Sequence, residues 1–287
     1  MLKRIISALI LIPFVLFCIF SANNYFLLAL LVLTSLLLCM EIFSIGSFQT
    51  RLYLVIPALI AILMQFAAAF LLTSGKISQL IFVYLLLASV FISFAGTAAL
   101  IALRKNIEQA LVMLSVSAFS VLYSGTGLVS FYFIKADFTY GVWACLYLLA
   151  VIWIFDAGAY FTGSLLGKHK LNLPASPNKT IEGLIGGFLF SMAAGLFFHR
   201  LLPSVLPSDF SGSVIGKFFN NITLLTVFTF FLTVIAFLGD LTESLIKRSF
   251  GKKDSGSIIP GHGGIFDGID SLIPASFIFW IFLQLFK

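Results

Sequence analysis

The chain has 287 residues, of which 61% are hydrophobic and 10% charged, whereas a water-soluble domain carries about a quarter charged residues. A soluble fold of this length has too little interior to hide that much apolar surface, and intrinsic disorder requires the opposite composition. The net charge of +6 comes from only 17 basic residues with no basic run interleaved with aromatics, which speaks against nucleic acid and for an anionic membrane surface or a phosphate-rich ligand. What remains is an all-α, polytopic integral membrane protein.

In chain order, apolar runs of roughly the 20 residues that cross hydrocarbon predict nine transmembrane helices: 5–20, 25–44, 52–73, 80–103, 110–134, 140–166, 181–198, 222–246 and 269–286. Lys3 and Arg4 ahead of the first run would also suit a signal peptide, but no small-x-small cleavage site follows, which favours a retained helix. None of the runs shows the period-2 alternation of a strand. The chain divides into an N-terminal region, 1–139, with about five helices, and a C-terminal region, 140–287. Polar loops near 167–182 and 247–270 interrupt the second region. Cys18, Cys39 and Cys145 stand singly in apolar runs and read as packing residues, not as a disulfide framework or a zinc site.

With the N-terminus in the cytoplasm, only Lys76, Lys135, Arg200, Lys217 and Lys287 of the 17 basic residues fall outside. The positive-inside rule therefore predicts a cell (inner) membrane protein with N-terminus in, C-terminus out, and both polar loops cytoplasmic.

Carboxylates near hydrocarbon cost several kcal/mol unless paired, hydrated or bound to a cation. Seven of the 11 acidic residues gather in or beside the two loops: Asp156, Glu182, Asp240, Glu243, Asp254, Asp267 and Asp270. Asp240, Glu243, Ser244 and Lys247 follow i, i+3, i+4, i+7 spacing, which makes one polar stripe on a helix, and Asp267, Asp270 and Ser271 repeat the pattern. Between them, Pro260-Gly-His262-Gly263-Gly264 lets backbone approach a ligand and offers N–H groups to an anion. Oxygen ligands from separate helix ends suit Mg²⁺ or another hard divalent cation. Salt bridges to Lys247, Arg248, Lys252 and Lys253 that merely make the loop soluble are the plainer alternative.

In the first loop, Ser176 followed by Pro177 has the character of an N-cap and first helical residue, so a helix is expected to start there with Lys179 and Thr180 in its first turn. Such a start favours phosphate. The glycines Gly163, Gly167, Gly183, Gly186 and Gly187 serve close helix packing equally well. His169 and His199 have no partners at metal spacing.

The stretch containing Ser244, Lys247, Arg248, Lys253, Asp254, Gly256, Pro260, His262, Gly263, Gly264, Asp267 and Asp270 resembles the C-terminal signature of the phosphatidate cytidylyltransferase, or CDP-diacylglycerol synthase, family. Ser176, Pro177, Lys179, Thr180, Glu182 and Gly183 match a second segment of that family, and Asp156 matches its upstream intramembrane acid. The N-terminal half carries little specific signal beyond Glu41.

The resemblance implies transfer of CMP from CTP to phosphatidic acid at the cytoplasmic membrane edge, with the lipid bilayer as a further partner and a homodimer as a family-level expectation. It implies Asp240 and Asp267 as metal ligands, supported by Asp270 and Asp156. Lys179, Lys247, Arg248, Lys253 and His262 are expected to contact phosphate, and Ser176, Thr180, Glu182, Ser244, Asp254, Gly263 and Gly264 to line the substrate. One departure stands out: Gly268 replaces an arginine of the signature, which implies a weaker contact to phosphate or aspartate. The neighbouring alternatives are a CTP-dependent polyprenol or phytol kinase and, from a different class, a cation transporter.

Overall fold

A computed structural model of the protein describes residues 2–46, 53–103, 109–261 and 263–287. Its helices are α1 (Leu2–Phe20), α2 (Asn24–Ile45), α3 (Ile56–Thr73), α4 (Gln79–Leu103), α5 (Ala110–Ser120), α6 (Gly127–Ala136), α7 (Gly141–Leu166), α8 (Ile181–Val205), α9 (Val214–Asn220), α10 (Ile222–Ser249), α11 (Phe266–Ile269) and α12 (Leu272–Leu285). A π-helical turn, Val121–Thr126, joins α5 to α6 into one span. Among the described residues eight helices are long and apolar enough to cross a membrane, and Leu9–Phe20 forms a shorter apolar helix. The protein is a polytopic, all-α integral membrane protein, and the described residues include isolated bridges but no strand.

Two compact units emerge, one of Met1–Ala136 with Ser249–Ile269, the other of Asp137–Arg248 with Asp270–Lys287. In the first, side-chain hydroxyls and an amide form a buried seam. Ser89, Ser93 and Thr97 lie on one face of α4 at four-residue spacing. Ser93 and Thr97 meet the Ser117 hydroxyl at 2.7 and 2.9 Å, and Gln65 of α3 donates to Ser89 at 2.9 Å. Helices in lipid lack a hydrophobic drive to associate, so small residues and such hydrogen bonds hold them together. The π-turn falls where Gly125 lies against the Gln65 side chain, in the manner of a helix that widens around an intruding group.

In the second unit α7 and α8 pack against each other through glycine. A Cβ on Gly158 would come within 2.9 Å of Phe190, one on Gly183 within 2.8 Å of the Ala159 carbonyl, and one on Gly187 within 2.8 Å of Phe155. The packing reading of Gly163, Gly183, Gly186 and Gly187 therefore describes what these residues do: they let two backbones approach. Further along, the buried Tyr147 hydroxyl meets Thr229 at 2.7 Å, while its ring contacts Phe198, Phe218, Phe219 and Phe279 with centroids 5.2 to 5.7 Å away.

One sequence-based expectation needs correction. The helix expected to be capped by Ser176 begins four residues later than predicted, at Ile181, and its N-cap is Thr180, whose hydroxyl accepts from the Gly183 N–H at 3.1 Å. Residues 170–180 instead fold back on themselves through bridges Lys170↔Thr180 and Leu173↔Ser176. Thr180 has the extended backbone (φ −119°, ψ 155°) that an N-cap requires, and the pairing with Lys170 holds it there. Ser176 and Pro177 thus mark a turn.

Candidate active site

The polar stripe predicted on residues 240–247 lies on the C-terminal end of α10, within the second unit. Here a helix of 28 residues, Ile222–Ser249, outlasts its apolar run and carries Asp240, Glu243, Ser244, Lys247 and Arg248 in its last turns. Asp270 follows the short α11, in the break before α12, where its Oδ1 accepts from the Ser271 N–H at 2.6 Å. Gly239 allows this approach: a Cβ there would meet the Asp270 carbonyl at 2.6 Å.

Asp240, Glu243 and Asp270 each offer a carboxylate oxygen, all within 4.8 Å of one another. Two lysines answer this charge. Lys179 Nζ lies 2.7 Å from Asp240 Oδ2 and 4.6 Å from the centre of the Phe237 ring, and Lys247 Nζ lies 2.7 Å from Glu243 Oε1. Glu243 is buried and Lys247 nearly so. The charges of Asp240 and Lys179 also act on Asp156 of α7, and those of Asp240, Glu243 and Asp156 act on Asp270. Four acids and two lysines therefore share one electrostatic neighbourhood inside one unit.

Other predicted residues of this unit have quieter roles. Glu182, in the first turn of α8, accepts from the His169 backbone N–H and meets its ring Nδ1 at 2.5 Å. His169, which sequence spacing left without a partner, thus closes the loop base. Arg248 donates from Nε to the Ala175 carbonyl at 3.4 Å, tying the end of α10 to the turn that contains Ser176. Ser244 sits half-buried one turn after Asp240.

The glycine-rich signature loop belongs to the first unit. Asp267 Oδ2 accepts three hydrogen bonds, from Ser255 N (3.0 Å), Ser255 Oγ (2.8 Å) and Gly264 N (2.8 Å). Gly263 takes φ +102°, and a Cβ there would strike Asp267 Oδ2 at 2.6 Å, so glycine is required on both counts. Lys253 and Asp254 are exposed on the loop. His262 lies outside the described residues.

The three-carboxylate cluster differs from the ligand set expected from the sequence. It keeps Asp240 and Asp270 and adds Glu243, which the stripe contained but which had been given no ligand role. Glu41 of α2 was also given no role; a lone acid in an apolar run was the signal. Its buried carboxylate accepts from Ile265 N and Phe266 N, each at 2.9 Å.

Residues 2–286 match the model of a cytidylyltransferase family. The chain belongs to that family. Over 154 residues it is 45% identical to a phosphatidate cytidylyltransferase of Staphylococcus haemolyticus, an alignment covering 54% of this chain and 53% of the relative. Enzymes of the same name from Staphylococcus epidermidis and Staphylococcus aureus are 43% and 42% identical over equal lengths. The chain spans about half the length of the curated relatives it matches.

Proposed function

We propose that the chain transfers CMP from CTP to phosphatidic acid, giving CDP-diacylglycerol and pyrophosphate. The observation that carries this reading is the set of three carboxylates within 4.8 Å, contacted by two lysines, in a chain of the cytidylyltransferase family. Like charges at that spacing repel by about 3 kcal/mol per pair at an effective dielectric constant of about 20. The set has only oxygen donors, which fits Mg²⁺ better than a metal that favours sulfur or imidazole. Asp240, Glu243 and Asp270 would hold the cation, with Asp156 nearby. When bound, it supplies charge neutralisation for the triphosphate and for the leaving pyrophosphate.

The residues of the chain then have a limited task. A phosphomonoester has its second pKa near 6, so phosphatidic acid is largely dianionic at neutral pH and needs no strong general base. One of its phosphate oxygens forms a bond to the α-phosphorus of CTP while the bond to the pyrophosphate oxygen breaks, and pyrophosphate leaves with that electron pair. The obstacle is bringing two anions together, so catalysis rests on positioning and positive charge. Lys179 and Lys247 provide that charge beside the acids, and Arg248 follows at the end of the same helix as Lys247. The acyl chains stay in the bilayer while the head group meets CTP at the membrane edge. In this reading the N-terminus, both polar loops and the site face the cytoplasm.

The deciding experiment incubates the purified chain with CTP labelled in the cytidine or in the γ-phosphate, together with phosphatidic acid or a polyprenol. Lipid-linked CMP supports the reading. Transfer of the γ-phosphate to the alcohol would make the chain a lipid kinase, and neither product under any divalent cation would leave the cation-transporter alternative.

A further inference from the structure

We infer that Glu41 is a positioning residue for the reaction, holding the loop that carries Asp267 in its working geometry. This rests on the proposed CMP transfer and on the role that the family resemblance implies for Asp267. Glu41 is the only charged residue of α2, a span of 22 residues, and is 4% exposed. A carboxylate placed there needs compensation. It comes from the signature loop: Ile265 N donates to Oε1 and Phe266 N to Oε2, both at 2.9 Å, and Ser255 Oγ reaches Oε2 at 3.3 Å. The loop also gives up side chains to make room. A Cβ on Gly256 would come within 2.7 Å of Glu41 Oε1, and one on Gly264 within 2.5 Å of Oε2.

Asp267 is gripped from the other side of the same loop. Its Oδ2 takes the Ser255 N–H, the Ser255 hydroxyl and the Gly264 N–H. The Ser255 hydroxyl therefore lies between two carboxylates, 2.8 Å from Asp267 and 3.3 Å from Glu41, and its single proton serves one of them at a time. When Asp267 turns to a substrate, the hydroxyl has a second acceptor already in place. Glu41 thus fixes the backbone of 264–266 and gives the Ser255 hydroxyl an alternative acceptor. Ångström-scale misplacement of a reacting group costs about a hundredfold in rate, which is the leverage of a clamp made more than two hundred residues away in sequence.

The test uses Glu41→Gln, Glu41→Asp and Ser255→Ala in the full chain, purified in detergent. Gln keeps the shape but turns one acceptor into an NH₂ group facing a backbone N–H. Expected for Glu41→Gln are at least tenfold faster amide exchange at Ile265 and Phe266, an unchanged thermal midpoint, and kcat per folded molecule reduced tenfold or more at unchanged KM for CTP. Glu41→Asp, which keeps the charge, should recover part of both losses. Turnover within twofold of wild type in Glu41→Gln overturns the inference, as does unaltered exchange at the two amides. If Glu41→Gln fails to fold, Ser255→Ala decides: the inference requires a reduced kcat there, and full activity overturns it. A wild-type chain that makes no lipid-linked CMP defeats the proposed function instead, and the exchange measurement still reads the Glu41 contact by itself.

Discussion

In the proposed function Lys179 competes with the divalent cation for Asp240, and its removal should have effects of opposite sign on two ligands. Its ammonium lies 2.7 Å from Asp240 Oδ2. At an effective dielectric constant of about 20, the bare attraction at that distance is about 6 kcal/mol. The two side chains are 22% and 33% exposed, so solvent screening and desolvation leave about 1 to 2 kcal/mol, between an exposed pair and a buried one. A cation that takes Asp240 must displace this ammonium first. Lys179→Met, which keeps most of the apolar stem over Phe237, should therefore tighten binding of Mn²⁺ alone by about fivefold to thirtyfold. It should at the same time raise KM for CTP, because a positive charge released toward phosphate has gone. Mn²⁺ titration followed by electron paramagnetic resonance, on the chain in detergent without nucleotide, reads the first effect. Steady-state kinetics read the second. Mn²⁺ binding in Lys179→Met that is equal to or weaker than wild type refutes the competition between lysine and cation.

Asp240→Asn should abolish metal-dependent CTP binding and turnover while leaving the helical circular dichroism unchanged; normal turnover at saturating Mg²⁺ would falsify the ligand role. Gly268→Arg should raise kcat by about ten- to a hundredfold, the worth of one charge-assisted contact made in the transition state. The site has room to begin that side chain, since a Cβ would meet only Ile259 Cδ1, at 3.7 Å, and an unchanged or lower rate would mean the missing arginine is compensated elsewhere. For topology, single cysteines at the exposed positions Asn178 and Ser211, in a background lacking Cys18, Cys39 and Cys145, separate the two sides. An impermeant thiol reagent on intact cells should label the Ser211 position only, and the reverse pattern overturns the orientation.

The spans were legible because hydropathy is a local quantity: twenty adjacent apolar residues announce a membrane helix whatever they pack against. Predicted and observed limits agree to within a few residues for most spans, as with 80–103 against Gln79–Leu103 and 140–166 against Gly141–Leu166, while the span predicted at 181–198 runs seven residues further, to Val205. The helix start at Ser176 was misplaced because Ser-Pro satisfies a local capping rule, whereas the bridge between Lys170 and Thr180 that moves the start to Ile181 is a pairing across ten residues. The same limit applies to chemistry. The sequence showed that acids gather in two stretches, and spacing put Asp240 and Glu243 on one face of a helix. Only tertiary structure joined Asp270 to them, matched Lys179 with Asp240, and set Glu41 of α2 against the backbone of Ile265 and Phe266. A carboxylate's partner is chosen by which groups are left to solvate it once lipid and packing have excluded water, and that depends on every helix at once.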